Sequence, residues 1–256
     1  MSVGPGRKGR QMPVSEGSAL RALRVLEALG APGGPHQLGR IAHEAGVPKP
    51  STHRILQGLV DAGYAVAGGD GTYGPGPRAF ALSALFGSGR HDEPVLRRLR
   101  DETGHTVHVA LRSGSQAVYV QKLDSDRPYR MASRVGGRIS LHCTAIGKAI
   151  LAHLDPPRRA ELLAGTGLPA RTARTHTDPA ALEADLARVR ERGYAIDDEE
   201  NEDTVRCVAA PLLDRAGAPA GGVSISALTF QTPAGELLTH VPVLLEAARL
   251  LAPAYT

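Results

Sequence analysis

Apolar residues recur at helical spacing through the first third of the chain and at alternate positions through much of the rest. Ala19, Ala22, Leu23, Leu26 and Leu29 share one face of an expected helix, with Ser18 placed to cap it. Residues 30–35 break that pattern. Leu38, Ile41, Ala42 and Ala45 then fall at i, i+3, i+4 and i+7 of a second helix, and Gly46 stands where helices commonly end left-handed. Pro48 suits the first turn of a third helix. Thr52, Ile55, Leu56 and Leu59 form its inner face, so Pro50, His53, Arg54 and Gln57 point outward at about 100° per residue. Residues 64–66, the turn Gly68-Gly69-Asp70-Gly71, and Thr72-Tyr73 read as a hairpin. The prediction is helix, turn, helix, wing, with a cationic, hydrogen-bonding outer face on the last helix.

Residues 78–86 read as a further helix, with Ala79, Leu82 and Phe86 on one side, and residues 87–92 as the loop between domains. A helix over 94–102 carries Arg97, Arg98 and Arg100 on a solvated face. From His105 the period becomes two. Strands are expected at 106–111 and 117–122, with another around 129–133. Helices follow at 142–154, with Ile146, Ala149, Ile150 and His153 on one side, and at 179–192, ending at Gly193. Strands at 194–196, 207–213 and 221–228 precede a terminal helix over 233–251. Hairpins first, helices between and strands late give an α+β fold with a largely antiparallel sheet.

At 256 residues there is room for two modest domains. Charge is unevenly placed. Residues 1–77 hold 8 Lys/Arg against 5 Asp/Glu, whereas residues 78–256 hold 22 against 21. The first third therefore favours an anionic partner, and Arg7, Lys8 and Arg10 sit on a Gly/Pro-rich arm expected to be disordered. No apolar run is long enough to cross a membrane, the first 17 residues have no apolar core of a secretory signal, and two distant cysteines make no disulfide framework. A cytoplasmic protein without membrane contact is expected.

Enzyme and metal motifs fail on their context. Residues 4–9 match a dinucleotide fingerprint but follow no strand. Residues 222–226 lack the final glycine of a nucleophile elbow, and the acidic run 197–203 lacks the glycine of a calcium loop. His105 and His108 have no third ligand at metal spacing. Cys207 with His142 as base is the one nucleophile pairing on offer, and a cysteine in an apolar strand is ordinarily core. The alternative kept open is a small-molecule hydrolase or isomerase whose N-terminal domain mediates assembly. No cofactor, metal or catalytic residue is assigned.

From SALRALRVLEAL and GVPKPSTHRILQGLVDAGY near the N-terminus, and SLHCTAIGKAILAHL and RGYAIDDEENEDTVRCVAAPLLDRAGAPAGGVSIS later, the chain resembles the IclR family of bacterial transcriptional regulators over residues 18–251. The resemblance implies a winged helix-turn-helix (residues 16–77, after a basic arm at 1–15), a linker helix (78–90) and a GAF-like effector-binding and oligomerisation domain (91–256). It implies a ligand-responsive regulator, more often a repressor, that forms dimers or tetramers and responds to a small carboxylate or aromatic acid. For the double-stranded DNA operator, the expected contacts are Lys49, Ser51, Thr52, His53, Arg54 and Gln57, with Arg7, Lys8 and Arg10 of the arm. Arg54 and Gln57 suit base edges, whereas Lys49 and Ser51 suit phosphate. The wing at 68–72 is expected to add groove or backbone contacts. For the effector, motif matching places the lining at Met131, Ile139, Ala145, Ile146, Asp197, Cys207, Ser224 and Ser226. Free amides at the start of the 145–154 helix suit a carboxylate, and Ser224 and Ser226 alternate onto one strand face as donors.

Overall fold

The computed structural model describes residues 17–31, 35–79, 82 and 92–255. The basic arm, with Arg7, Lys8 and Arg10, lies outside the described residues, as does most of the expected linker helix. The chain divides into two compact units, residues 1–89 and 90–256.

In the first unit, α1 (Ser18–Leu29), α2 (Leu38–Ala45) and α3 (Lys49–Asp61) pack with β1 (His36–Gln37), β2 (Ala65–Ala67) and β3 (Thr72–Pro75). The strands form a small antiparallel sheet in the order β1-β3-β2. Val25, Leu29, Ile41, Val47, Leu56 and Tyr73 form the centre of its core. Gly46 ends α2 at φ 63°, a conformation glycine adopts without steric cost. The turn is then closed by Thr52, whose hydroxyl donates to Val47 O (3.0 Å) and Pro48 O (3.2 Å). In the wing, Asp70 Oδ1 accepts from Thr72 N (3.1 Å) and Thr72 Oγ (2.6 Å), locking the tip.

Two details of α1 differ from expectation. Gly17, not Ser18, is the N-cap, and no side chain caps the helix. Its buried residues are Val25, Ala28 and Leu29, while Leu23 is 55% exposed and Ala19 is exposed too. Among the described residues only the C-terminal half is fully buried, so the packed stripe is set by Val25 rather than by the apolar start of the helix.

The second unit contains α4 (Asp92–Thr103), β4 (Thr106–Ser113), β5 (Gln116–Leu123), β6 (Arg138–Ser140), α5 (Ala145–His153), α6 (Pro156–Thr166), α7 (Pro179–Arg192), β7 (Ala195–Asp198), β8 (Val205–Leu213), β9 (Pro219–Leu228), α8 (Ala234–Thr239) and α9 (Val241–Tyr255). Six antiparallel strands run β6-β5-β4-β9-β8-β7. Strand alternation divides the core in two. Val107, Val109, Val208, Leu212, Val223 and Ile225 pack with Leu96, Leu99 of α4 and Leu244, Leu251 of α9. Ala110, Ala117 and Ala209 pack with α5 and α7. The sheet is thus covered by helices on both faces.

The strand expected around 129–133 is absent and β6 forms later. Lys122 Nζ donates to Met131 O (2.9 Å) and Ser133 O (2.8 Å), so carbonyls that a strand would pair are held by an ammonium. The 142–154 helix begins only at Ala145, after a turn over 141–144. Helix α6 was not anticipated. The terminal helix splits into α8 and α9 at His240, where Pro242 cannot donate to Leu238 O and its ring crowds that carbonyl.

Candidate functional site

On α3, Lys49, Pro50, His53, Arg54 and Gln57 are exposed along one face and Ser51 is half-buried. Thr52 does not belong to that face. It is wholly buried with its hydroxyl committed to the turn, which corrects its inclusion among the DNA contacts. Arg54 and Lys49 make no ion pair with another described residue. The wing tip carries Asp70 as its only charged side chain, whose carboxyl is held low first by the Thr72 hydroxyl and then by the Thr72 amide. At the wing tip the charge is therefore negative, whereas α3 exposes Lys49 and Arg54.

On the α5 face of the sheet, register gathers a second set. His108 of β4 stands opposite Ser224 of β9, Ser226 opposite Cys207 of β8, and Cys207 opposite Asp197 of β7. All alternate onto the same face, and Tyr119 of β5 adds its ring 4.8 Å from the His108 ring. Helix α5 closes over them. Thr144 caps it by accepting from Gly147 N (3.0 Å) and donates to Ser140 O (2.7 Å). A Cβ on Gly147 would lie 2.4 Å from Leu141 Cα, so only glycine allows α5 to start against that turn. The Ala145 and Ile146 amides precede any intrahelical acceptor and remain available at the positive end of the helix.

Between sheet, α5 and the loop of residues 130–133 lies a cavity of about 210 Å³. Met131, Ile139, Ala145, Ile146, Asp197, Cys207, Ser224 and Ser226 all line it. Ser224 and Ser226 are buried and do not face bulk solvent. Sequence reasoning missed His108, Tyr119, Arg130, Ser133, Asn201 and Glu202, which also line it. The polar alternation of Thr106 and His108 was visible, but pairing β4 with β9 is what aims it inward.

The polar groups here are mostly neutral. Burial, helped by Lys122, pushes His108 down to about 3; its Nε2 hydrogen-bonds Ser133 Oγ at 2.8 Å and its Nδ1 meets Ser226 Oγ at 3.3 Å. Burial pushes the Tyr119 phenol and the Cys207 thiol up, so both keep their protons. Burial also pushes the Asp197 carboxyl up to about 7, against the pull of the Glu200 amide. Arg130, exposed at the rim, is the one arginine or lysine among the described lining residues.

Further along α5, Lys148 donates to Asp185 Oδ2 (2.7 Å) and Glu200 Oε1 (2.5 Å). His176, Asp185 and Glu200 bring ligand-type atoms within 4.8 Å of one another, but the Lys148 ammonium already supplies the cation between the two carboxylates. The Cys207–His142 pairing does not form a nucleophile. His142 Nε2 is engaged with Pro169 O at 3.0 Å, and a thiol pushed up by burial is the reverse of an activated one. His105 packs edge-on to His240 while His108 enters the cavity, so those two histidines serve different sites.

Residues 18–68 match the family described as IclR helix-turn-helix domain, and residues 90–252 match Bacterial transcriptional regulator IclR C-terminal. Over 236 residues the chain is 33% identical to the Transcriptional repressor IclR of Escherichia coli strain K12, spanning 87% of this chain and 86% of that protein. It is 34% identical over 236 residues to the HTH-type transcriptional regulator BhcR of Paracoccus denitrificans, spanning 90% and 84%. Among solved structures, the Thermotoga maritima IclR aligns with a TM-score of 0.73 at 28% identity, covering 93% of this chain and 98% of that one. These relatives are regulators of transcription and not enzymes, which removes the hydrolase or isomerase alternative.

Proposed function

Because the chain belongs to the IclR family of bacterial transcriptional regulators, with a DNA-binding helix-turn-helix domain and an effector-binding C-terminal domain, we propose that it represses transcription until a small carboxylate fills the C-terminal cavity. The observation that carries this reading is convergence. Eight residues scattered from Met131 to Ser226 meet around one cavity beside the α5 N-terminus. Helix-start amides and Arg130 suit an anion there, while Ile139, Ile146 and Met131 offer apolar walls to an aromatic or aliphatic body. The name of the Escherichia coli relative supports repression.

On the DNA side, Arg54 and Gln57 read base edges, and Lys49, Ser51 and His53 hold the helix on the duplex, joined by Arg7, Lys8 and Arg10 of the arm. The proposed organisation is a DNA-binding domain at 16–77, a linker helix at 78–90 and an effector domain at 91–256. The active species is a dimer or tetramer in the cytoplasm, to be checked by analytical ultracentrifugation. Among the described residues no helix is long and apolar enough to cross a membrane.

The deciding experiment is fluorescence anisotropy with the duplex upstream of the protein's own gene and a scrambled duplex at the same salt. Preference by about 10³ or more for a native operator, reversed by a carboxylate, is the expected result. Equal, salt-sensitive affinity for both duplexes redirects the search to other operators. No binding to either at low salt rejects the reading.

A further inference from the structure

One group in the cavity has a role that anion binding alone does not explain. Asp197 reaches it from β7 and is only 3% exposed. Its Oδ1 accepts from the Glu200 amide at 2.8 Å and the Asn201 amide at 3.3 Å. Oδ2 has no hydrogen-bond partner among the described residues and is the oxygen left to meet a ligand. A cavity of about 210 Å³ corresponds to a sphere roughly 7 Å across, so a carboxylate at the Ala145 and Ile146 amides lies close enough to Asp197 that both do not ionise cheaply.

We propose that Asp197 determines the specificity of the cavity by presenting Oδ2 as a protonated acid that donates its hydrogen bond to the ligand carboxylate, so that protein and ligand share one proton. This rests on the reading of the cavity as a carboxylate site. The ligand enters as its anion, an ionised Asp197 takes one proton from solvent, and no covalent bond forms. The surroundings favour this state. Lys148 on α5 pulls the Asp197 carboxyl down, but its ammonium is shared with Glu200 and Asp185 and burial outweighs it. Glu200, on the turn after β7, adds negative charge, and Glu202 lines the cavity beside it. Tyr119 of β5, Cys207 of β8 and Cys143 before α5 are held protonated, the last pushed up to about 12 by burial. Arg130 stands at the rim and is exposed. Burial already holds the Asp197 carboxyl at about 7 before a ligand arrives. An approaching anion raises it further. Affinity is therefore constant below that pH and weakens as pH climbs above it.

The test is isothermal titration calorimetry of the full chain with acetate, benzoate and succinate from pH 5.5 to 8.5, in two buffers of different ionisation enthalpy. The expected result is that at least one acid binds, with uptake of nearly one proton at pH 8 and affinity falling about tenfold per pH unit above 7. Asp197→Asn keeps an acceptor for both amides and offers N–H in place of O–H. It is expected to bind with no pH slope and no proton uptake. Wild-type binding without a slope, or binding that tightens as pH rises through 7, overturns the shared proton while leaving the carboxylate site standing. The second outcome would mean that an ionised Asp197 accepts from the ligand. Failure of all three acids at pH 6 rejects the carboxylate site and the shared proton together. A measurement without ligand stands beside these: the wild-type minus Asp197→Asn infrared carboxyl band should titrate near neutrality, and a midpoint near 4 overturns the proposal.

Discussion

Lys148 and Glu200 form an ion pair at 2.5 Å with both side chains almost wholly out of water, and Asp185 completes it from α7 at 2.7 Å. The pair joins the helix that roofs the cavity to the turn that follows Asp197. Burial pushes both carboxyls up. At Asp185, Lys148, Arg192 and Arg188 together outweigh it and hold the group low. Glu200 stays raised, and its Oε2 has no hydrogen-bond partner among the described residues. Lys148→Met strips the buried Glu200 carboxylate of its ammonium and leaves Asp185 to its arginines, and is expected to lower stability by about 3–5 kcal/mol. Urea denaturation measures it, and adding Asp185→Asn and Glu200→Gln should recover much of the loss. A single-variant change below about 1 kcal/mol would show the ammonium to be replaceable.

Asp197 also leaves a mark on stability against pH. Its folded value of about 7 lies above the ordinary 3.8, so between these the native state keeps a proton that the unfolded state has lost. Its contribution is complete below about 4 and falls as pH rises to about 7, by up to about 4 kcal/mol. His105 and His108, held down at about 4 and 3, contribute the opposite slope below about 6.5. The difference between wild type and Asp197→Asn isolates the effect, and that difference should grow in the variant's favour from pH 4 to pH 7.

On α3, two neighbouring positions are expected to behave differently. Arg54→Ala should weaken operator binding by about 1–3 kcal/mol and relax preference at one base position, with melting temperature unchanged. Thr52→Val removes the two hydrogen bonds that close the turn and should cost about 1–2 kcal/mol of stability in the first unit. Equal effects of the two on affinity at matched stability would contradict the assignment.

Ser224→Leu places a branched side chain into the cavity from β9. Loss of the response to a bound acid is expected, with operator affinity in the ligand-free state preserved. Anisotropy with and without the acid measures both. A response that survives would move the effector site elsewhere.

How much of this was legible in the sequence varied with the kind of signal. Helix-turn-helix and wing could be read directly, because Gly46, Pro48 and the Asp70-Gly71 turn punctuate short, strongly patterned segments. The strand at 129–133 was misplaced because its apparent alternation is overridden by Lys122, a residue on another strand. The break at His240 depended on how Pro242 meets a carbonyl four residues back. Of the cavity, the eight lining residues came from family motifs and not from spacing. His108 and Tyr119 escaped because their direction is set by how β4 pairs with β9 and with β5, and Arg130 because it lies in a loop that local pattern does not describe. Thr52 was assigned a DNA contact from its neighbours, although its inward phase on α3 already placed it in the core.

The pairing of β4 with β9 brings together Thr106 and Ser226, residues 120 positions apart. At ribosomal rates of about 5–20 residues per second, roughly 6–24 s pass between the emergence of one and the other. In the first unit α1–α3 and β1–β3 all lie within residues 18–75, so they can fold while β4 still waits for its partner. The cavity cannot exist until β9 arrives to supply Ser224 and Ser226. In each round of synthesis the half proposed to grip DNA is complete before the half that would release it.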